Sequence, residues 1–262
     1  TVQQEALTLA ERHGRPFSVA QATTFCASLL LLDEQWAEAT RLATRAIDLS
    51  DEYGFPRWRG TALVIRGRAL VEEGDEVLMP NPGFIAYPMI AQMVGARAVT
   101  YRLPAKDDFG FDLEDFKSRL SPRTKVVICI SPSNPTGRAL SNDDLRGMAD
   151  AVTASGSNAY IISDEIYREL YFTPERPASI SEFYPRPIIV SGLSKSMRMT
   201  GWRIGWLAGD EAVMRAALVL HGYVVTCASS VSQKTALAAW TDEAAASRAE
   251  MRAIFHRRRD HL

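Results

Sequence analysis

Val126-Val127-Ile128-Cys129-Ile130 is a short β-rich run that stops abruptly in Ser131-Pro132-Ser133-Asn134-Pro135-Thr136-Gly137. The Pro, Asn and Gly that follow it make a turn by their backbone preferences. Two later stretches repeat the pattern. Tyr160-Ile161-Ile162-Ser163 runs into Asp164-Glu165-Ile166-Tyr167, and Ile188-Ile189-Val190-Ser191 runs into Gly192-Leu193-Ser194-Lys195. Working outward, further β-rich runs lie at Glu76–Met79, Ala98–Arg102 and Ile204–Ala208. Helical patterns fall between them at about Pro88–Val94, Leu113–Leu120, Asn142–Ser155 and Glu211–Tyr223. Strand and helix in alternation predict an α/β fold, a mostly parallel sheet with flanking helices, from Gly74 onward. Asp242 to Leu262 reads as one more helix. Its basic tip, His256-Arg257-Arg258-Arg259, is explained by a solvated helix end with favourable dipole placement.

Residues 1–74 have a different texture. Apolar residues recur at helical spacing in Ala6-Leu7-Leu9-Ala10 and in Trp36-Ala39-Leu42-Ala43-Ala46-Ile47. The breaks are Gly14-Arg15-Pro16 and Gly54-Phe55-Pro56, where Gly ends one helix and Pro opens the next. They lie 40 residues apart, and at that offset Ala6 matches Ala46, Leu7 matches Ile47, Leu9 matches Leu49 and Ala22 matches Ala62. This weak repeat predicts four helices at roughly 2–13, 16–32, 34–53 and 56–73. With Gly54-Phe55-Pro56-Arg57-Trp58 and Arg66-Gly67-Arg68-Ala69-Leu70, the segment resembles the tetratricopeptide-like arrays of large bacterial regulators. Such arrays present a protein-binding groove. Four packed amphipathic helices with no partner of their own explain the pattern equally well.

The composition excludes several classes. The 262 residues carry 30 Lys+Arg against 31 Asp+Glu, so no positive excess is available for a nucleic-acid backbone. Apolar residues at 47% and charged residues at 23% describe a globular chain rather than a disordered one. Cys26, Cys129 and Cys227 are odd in number and far apart, which predicts neither a disulfide framework nor a zinc site. The Leu-rich stretch Ala27–Leu32 is far too short to span a membrane, and the chain opens without a signal-peptide pattern. A soluble cytoplasmic protein is the expectation. No G-x-S-x-G and no G-x-x-x-x-G-K-[ST] occurs, so neither a serine hydrolase nor a phosphate-loop enzyme is supported.

In an open α/β sheet, ligands gather beyond the carboxyl ends of the strands. There the three runs deliver an Asn, an Asp with a Tyr, and a Lys. Only five of the 30 basic residues are lysines, so Lys195 at a strand end stands out. Each residue alone has a plain explanation: Asn134-Pro135-Thr136-Gly137 as a turn, Asp164 as a helix cap, Lys195 as a solvated cation. Together on successive strand ends they suit one cofactor chemistry. A lysine amine forms a Schiff base with an aldehyde. A carboxylate keeps a pyridine nitrogen protonated so that the ring accepts electrons. An Asn amide and a Tyr hydroxyl bond a phenolate oxygen, and an Arg such as Arg203 suits a phosphate.

Five stretches carry a family resemblance. They are Gly74-Asp75-Glu76-Val77, Pro80-Asn81-Pro82-Gly83-Phe84, Ser133-Asn134-Pro135-Thr136-Gly137, Asp164-Glu165-Ile166-Tyr167 and the run from Ser194-Lys195-Ser196 to Trp202-Arg203-Ile204-Gly205. The chain from about residue 74 resembles the class I/II aminotransferases, which are pyridoxal-phosphate enzymes of fold type I. The resemblance implies a division into a helical-repeat segment, 1–74, and a partial large, cofactor-binding domain, 75–262, with the small domain absent. It implies pyridoxal 5'-phosphate as cofactor, with Lys195 carrying it and moving the substrate proton. Asp164 would pair with the pyridine nitrogen, Tyr167 and Asn134 with the phenolate oxygen, and Arg203 and Ser194 with the phosphate. Phe84 would stack on the ring. The implied reaction moves an amino group between an amino acid and a 2-oxo acid, in a homodimer.

Three departures from the family pattern weigh against full activity. The family's N-terminal arm and phosphate-cradling turn should precede Gly74, where the helical segment stands instead; Arg59-Gly60-Thr61-Ala62 opening a helix is the one candidate substitute. The chain ends at Arg257-Arg258-Arg259-Asp260-His261-Leu262, where the family passes into the small domain that supplies an Arg for the substrate carboxylate. Part of the shared two-subunit interface would also be lost. A catalytically inactive fusion acting as an interaction module is therefore one alternative. A β-lyase or decarboxylase using the same Lys, Asp and Tyr is another.

Overall fold

The computed structural model describes residues 2–69 and 74–261. The chain packs as two compact units, Thr1–Glu73 with Arg215–Cys227, and Gly74–Met214 with Ala228–Leu262. The inclusion of Arg215–Cys227 in the first unit differs from the sequence expectation, which kept the whole of residues 75–262 together.

The first unit contains α1 (Val2–His13), α2 (Pro16–Leu32), α3 (Trp36–Tyr53) and α4 (Pro56–Ala69). In α3, Ala39, Leu42, Ala43, Ala46, Ile47 and Ser50 are buried, an i, i+3, i+4, i+7 stripe that faces its neighbours. The small alanines let helices approach closely; Ala27, Ala43, Ala46 and Ala62 are fully buried. In α2 the buried Thr23 and Thr24 return their hydroxyls to the carbonyls of Val19 and Ala20, both at 2.7 Å, and so bring no unpaired polar group into the core. Gly14 and Gly54 both adopt positive φ, at 63° and 72°, ending α1 and α3 in the left-handed conformation that favours glycine. Pro16 and Pro56 then open the next helices. Residues 70–73, the expected end of the fourth helix, lie outside the described residues, as do the side chains of Val64, Arg68 and Ala69.

Arg59-Gly60-Thr61-Ala62 does not open a helix. It lies inside α4, where Arg59 N already donates to Phe55 O at 3.1 Å. Only the first amides of a helix lack an internal acceptor, so the amides beyond Arg59 are committed and cannot cradle an anion.

The second unit contains a six-stranded sheet of order β2-β1-β3-β4-β5-β6. The strands are β1 (Glu76–Asn81), β2 (Arg97–Arg102), β3 (Thr124–Ile130), β4 (Tyr160–Asp164), β5 (Pro187–Gly192) and β6 (Gly205–Gly209). All pairs are parallel except β5 with β6. Helices α5 (Ala86–Met93), α6 (Leu113–Arg119) and α7 (Asn142–Ala154) make the crossovers. Strand alternation divides the apolar side chains between two faces. Leu78, Val127, Cys129 and Ile161 pack with Phe116, Leu145, Met148, Val152 and Ile180 on one face. Met79, Ile128, Ala91 and the partly buried Val77, Val126 and Ile162 form the other. The six strands and three crossover helices follow the sequence pattern, with α5 starting two residues before the expected Pro88.

The remaining helices are α8 (Leu193–Ser196), α9 (Glu211–Val224), α10 (Ser230–Ala236) and α11 (Asp242–Arg259). The sequence pattern did not reveal α8 or α10, which at four and seven residues are too short to show a period. No helix among the described residues is long and apolar enough to cross a membrane.

Candidate active site

The order β2-β1-β3 contains a switch point, because β1 leads toward β2 on one side and β3 leads toward β4 on the other. Ligand crevices form at such a point, beyond the carboxyl ends of the strands. The residues singled out from sequence lie on that rim. Phe84 follows β1, Asn134 follows β3, Asp164 ends β4 with Tyr167 just after it, and Ser194 and Lys195 sit on α8 directly beyond β5. Arg203 precedes β6, whose antiparallel direction returns its start to the same rim, with Gly192 opposite Gly205.

Backbone bonds carry the strand register into the loops. Ser131 N donates to Asp164 O at 3.2 Å, which ties the Asn134 loop to the end of β4. Glu165 N donates to Val190 O at 2.8 Å, which ties β4 to β5. No helix follows Asp164, so its side chain is not a helix cap. Its Oδ1 instead accepts from Ile166 N at 3.1 Å, an Asx turn that aims the carboxylate from the strand end.

The other carboxylate oxygen, Oδ2, accepts a 2.8 Å hydrogen bond from the Tyr87 hydroxyl. Tyr87 lies 77 residues away on α5 and was not singled out from sequence. Burial, and then the Asp164 carboxylate beside it, raise its phenol well above the ordinary value. Tyr87 is therefore a protonated donor at any physiological pH. Its ring also meets Phe84 edge-on, with centroids 5.5 Å apart. The one signal in the sequence was its place three residues past Phe84. That spacing does not say which carboxylate it reaches.

Lys195 Nζ lies 5.4 Å from the centroid of the Tyr167 ring, a cation–π distance. Among the described residues it has no ion-pair partner. Arg203 is exposed, with positive φ at 49°, and its Nη1 donates to Thr200 O at 3.0 Å. Thr200 Oγ1 in turn donates to Ser194 O at 3.2 Å, so Arg203 and Ser194 belong to one folded turn. Among the described residues no carboxylate pairs with Arg203. Asn134 is half-buried, and its neighbour Ser133 has a buried hydroxyl without a hydrogen-bond partner. Phe84 is 41% exposed.

This donor set contains an amine and a guanidinium that pair with no carboxylate among the described residues, a carboxylate aimed by two donors, a phenol and an amide. It fits a group that has an aldehyde, a ring nitrogen, a phenolate oxygen and a phosphate. Burial pushes the neighbouring Cys129 thiol up to about 12, so it is an inert core group and not a nucleophile. A cavity of about 340 Å³ lined by Glu165, Arg168, Ser191, Trp206 and Trp240 includes none of Asp164, Tyr167 or Lys195.

The sheet order and the rim are those of the pyridoxal-phosphate-dependent fold type. The family model for aminotransferase class I and II matches residues 60–262, and the chain belongs to that family. Class I and II aminotransferases use pyridoxal phosphate. The chain is 39% identical over 177 residues to a probable N-acetyl-LL-diaminopimelate aminotransferase of Bacillus subtilis, covering 67% of this chain and 44% of that protein. It is 35% identical over 184 residues to the aspartate aminotransferase of Geobacillus stearothermophilus, covering 69% of this chain and 46% of that one. Among solved structures, a double mutant of Thermus thermophilus aspartate aminotransferase superposes with a TM-score of 0.69 at 32% identity, over 77% of this chain and 53% of that one. The chain thus spans less than half the length of the two curated relatives.

Proposed function

We propose that the rim binds pyridoxal phosphate and serves transfer of an amino group between an amino acid and a 2-oxo acid. The observation that carries this reading is the Asp164 carboxylate, held by Tyr87 at the end of β4, with the Lys195 amine, which has no ion-pair partner among the described residues, beside Tyr167 at the end of β5. The cofactor, when bound, supplies an electron sink for negative charge developing at the substrate Cα.

In this reading the Lys195 amine anchors the aldehyde, and Nζ afterwards holds and returns the substrate proton. Asp164 keeps the ring nitrogen protonated, and Tyr87 keeps that carboxylate aimed without competing for the proton. Tyr167 and Asn134 donate to the phenolate oxygen. Arg203 and Ser194 hold the phosphate, and Phe84 covers one ring face.

The test is an absorbance spectrum of the purified protein after addition of pyridoxal phosphate and desalting. A retained band between roughly 330 and 430 nm that is lost in Lys195→Ala is the expected result. No retained band in the wild type overturns the reading and leaves the inactive interaction module. Turnover assays with and without a 2-oxo acid acceptor separate amino transfer from β-lyase or decarboxylase chemistry.

Two partner assignments belong to the same proposal. Ile85, Met89, Ile90 and Met93 expose an apolar patch on and beside α5, which supports a homodimer interface next to the site. Phe25, Leu29 and Leu32 expose apolar surface on α2, which supports the tetratricopeptide-like reading of residues 1–74 with a protein partner. A cytoplasmic location goes with both.

A further inference from the structure

The residue after Asp164 faces the other way. Successive side chains of a strand alternate, so Ser163 and Glu165 share the face of Ile161 while Asp164 lies with Ile162. Glu165 is 5% exposed and yet carries a full carboxylate. Its Oε1 accepts from Ser179 Oγ at 2.6 Å and from Ser163 Oγ at 3.2 Å. Its Oε2 lies 3.3 Å from Arg168 Nη1.

Arg168 extends the network. Its Nε donates to Pro177 O at 2.8 Å, and Nη2 reaches Glu182 Oε1 at 3.3 Å. Glu182 accepts from Ser179 N at 2.8 Å, closing a capping box on the 3₁₀ turn Ile180–Glu182. Ile180 of that turn is fully buried in the core. The backbone is held as well: Arg168 N donates to Glu165 O at 3.0 Å, and Ser191 Oγ donates to the same carbonyl at 3.3 Å. Residues 164–168 are therefore fastened from behind to the end of β5 and to segment 177–182.

A buried ion pair is a poor way to gain stability, because desolvation offsets most of its attraction. What it supplies is geometry: directed bonds hold a turn in one conformation, where an apolar side chain would allow several. We propose that Glu165 is a positioning residue for the candidate site, its carboxylate clamping the turn so that Asp164 and Tyr167 face the cofactor from the opposite side of the backbone. This inference rests on the cofactor reading above.

Two measurements test it. The first is pyridoxal phosphate affinity, with the pH titration of the bound cofactor's absorbance, for wild type, Glu165→Gln and Ser179→Ala. Glu169→Gln, which removes a carboxylate paired with Arg176 on the same segment, is the control. The loss of one charge-assisted bond corresponds to about tenfold in binding. Glu165→Gln is expected to bind about tenfold more weakly with a displaced pH midpoint, Ser179→Ala to fall between it and wild type, and Glu169→Gln to match wild type. Unchanged affinity and midpoint in folded Glu165→Gln overturn the proposal, whatever its thermal stability.

The second measurement needs no cofactor. Hydrogen exchange at the Glu165, Ile166 and Arg168 amides is expected to quicken about tenfold in Glu165→Gln and in Ser179→Ala. Unchanged exchange in both overturns the clamp. If the wild type retains no cofactor while exchange quickens as expected, the cofactor reading fails and the clamp on the turn stands.

Discussion

Two charged clusters at opposite ends of the sheet, the one around Glu76 and the one formed by Asp164, Lys195 and Arg203, are bonded in different ways. At the amino-terminal end, Glu76, Arg97 and Thr124 begin adjacent strands. The buried Glu76 carboxylate pairs with Arg97, accepts from Ser121 Oγ at 2.7 Å and Thr124 Oγ1 at 3.4 Å, and lies 3.7 Å from Arg123. At the carboxyl-terminal end, Lys195 and Arg203 have no carboxylate partner among the described residues, and Asp164 is held by a neutral phenol and a backbone amide. A satisfied network lowers its own free energy and has nothing left to offer a ligand. Unpaired groups on fixed strand ends leave their bonding capacity to whatever enters. The contrast separates a cluster that stabilises the fold from the rim proposed to hold the cofactor.

Glu76→Ala gives the largest expected effect on stability. It leaves the Ser121 hydroxyl and the Arg97 guanidinium without their acceptor and Arg123 without a nearby carboxylate, and the loss should be about 2 kcal/mol in denaturant unfolding. Cofactor affinity of the folded protein should not change. An affinity loss without a stability loss would break the comparison.

Acid should reproduce part of that effect. Burial raises the Glu76 carboxyl, but the bonds from Ser121 and Arg97 and the charges of Arg97 and Arg123 outweigh it and leave it below the usual range. The Asp115 carboxyl is also below its usual value: burial opposes this, and a backbone bond from Arg102, a side-chain bond from Arg119 and the charges of both arginines prevail. A carboxylate depressed in the folded state contributes stability that is complete above its unfolded pKa of about 4 and is lost as pH falls through the folded value. Stability measured from pH 7 downward should therefore hold to about pH 5 and then decline. The decline should be shallower in Glu76→Gln, and an equal slope in both would show that Glu76 does not drive it.

Tyr87→Phe gives the smallest effect. It removes one donor from Asp164 and leaves the Ile166 amide in place, so stability should change by about 1 kcal/mol. Pyridoxal phosphate affinity should fall by about three- to tenfold. Wild-type affinity in the variant would show that the Asx turn alone aims Asp164.

Much of this was legible in the chain. The six β-rich runs became the six strands because strands of five to seven residues are built from β-forming side chains. The breaks at Gly14 and Gly54 appeared because a left-handed helix end strongly favours glycine. Lys195, Asp164 and Asn134 stood out because each ends a strand run where ligands gather. Short helices such as α8 were invisible for lack of a period. The Arg59-Gly60 turn was misplaced because composition does not show where the first free amides of a helix lie.

By itself, then, the sequence determined the alternation of strand and helix, the helical character of residues 1–69 and the residue types at the rim. Those are local properties, set by turn chemistry and side-chain period. Tertiary structure alone decided that Tyr87 donates to Asp164 across 77 residues, that Glu165 is anchored behind it, and that Glu76 meets Arg97, Ser121 and Arg123. Each of those contacts depends on strand order and register. Strand order and register come from the summed packing of both sheet faces, and no single stretch of sequence encodes them.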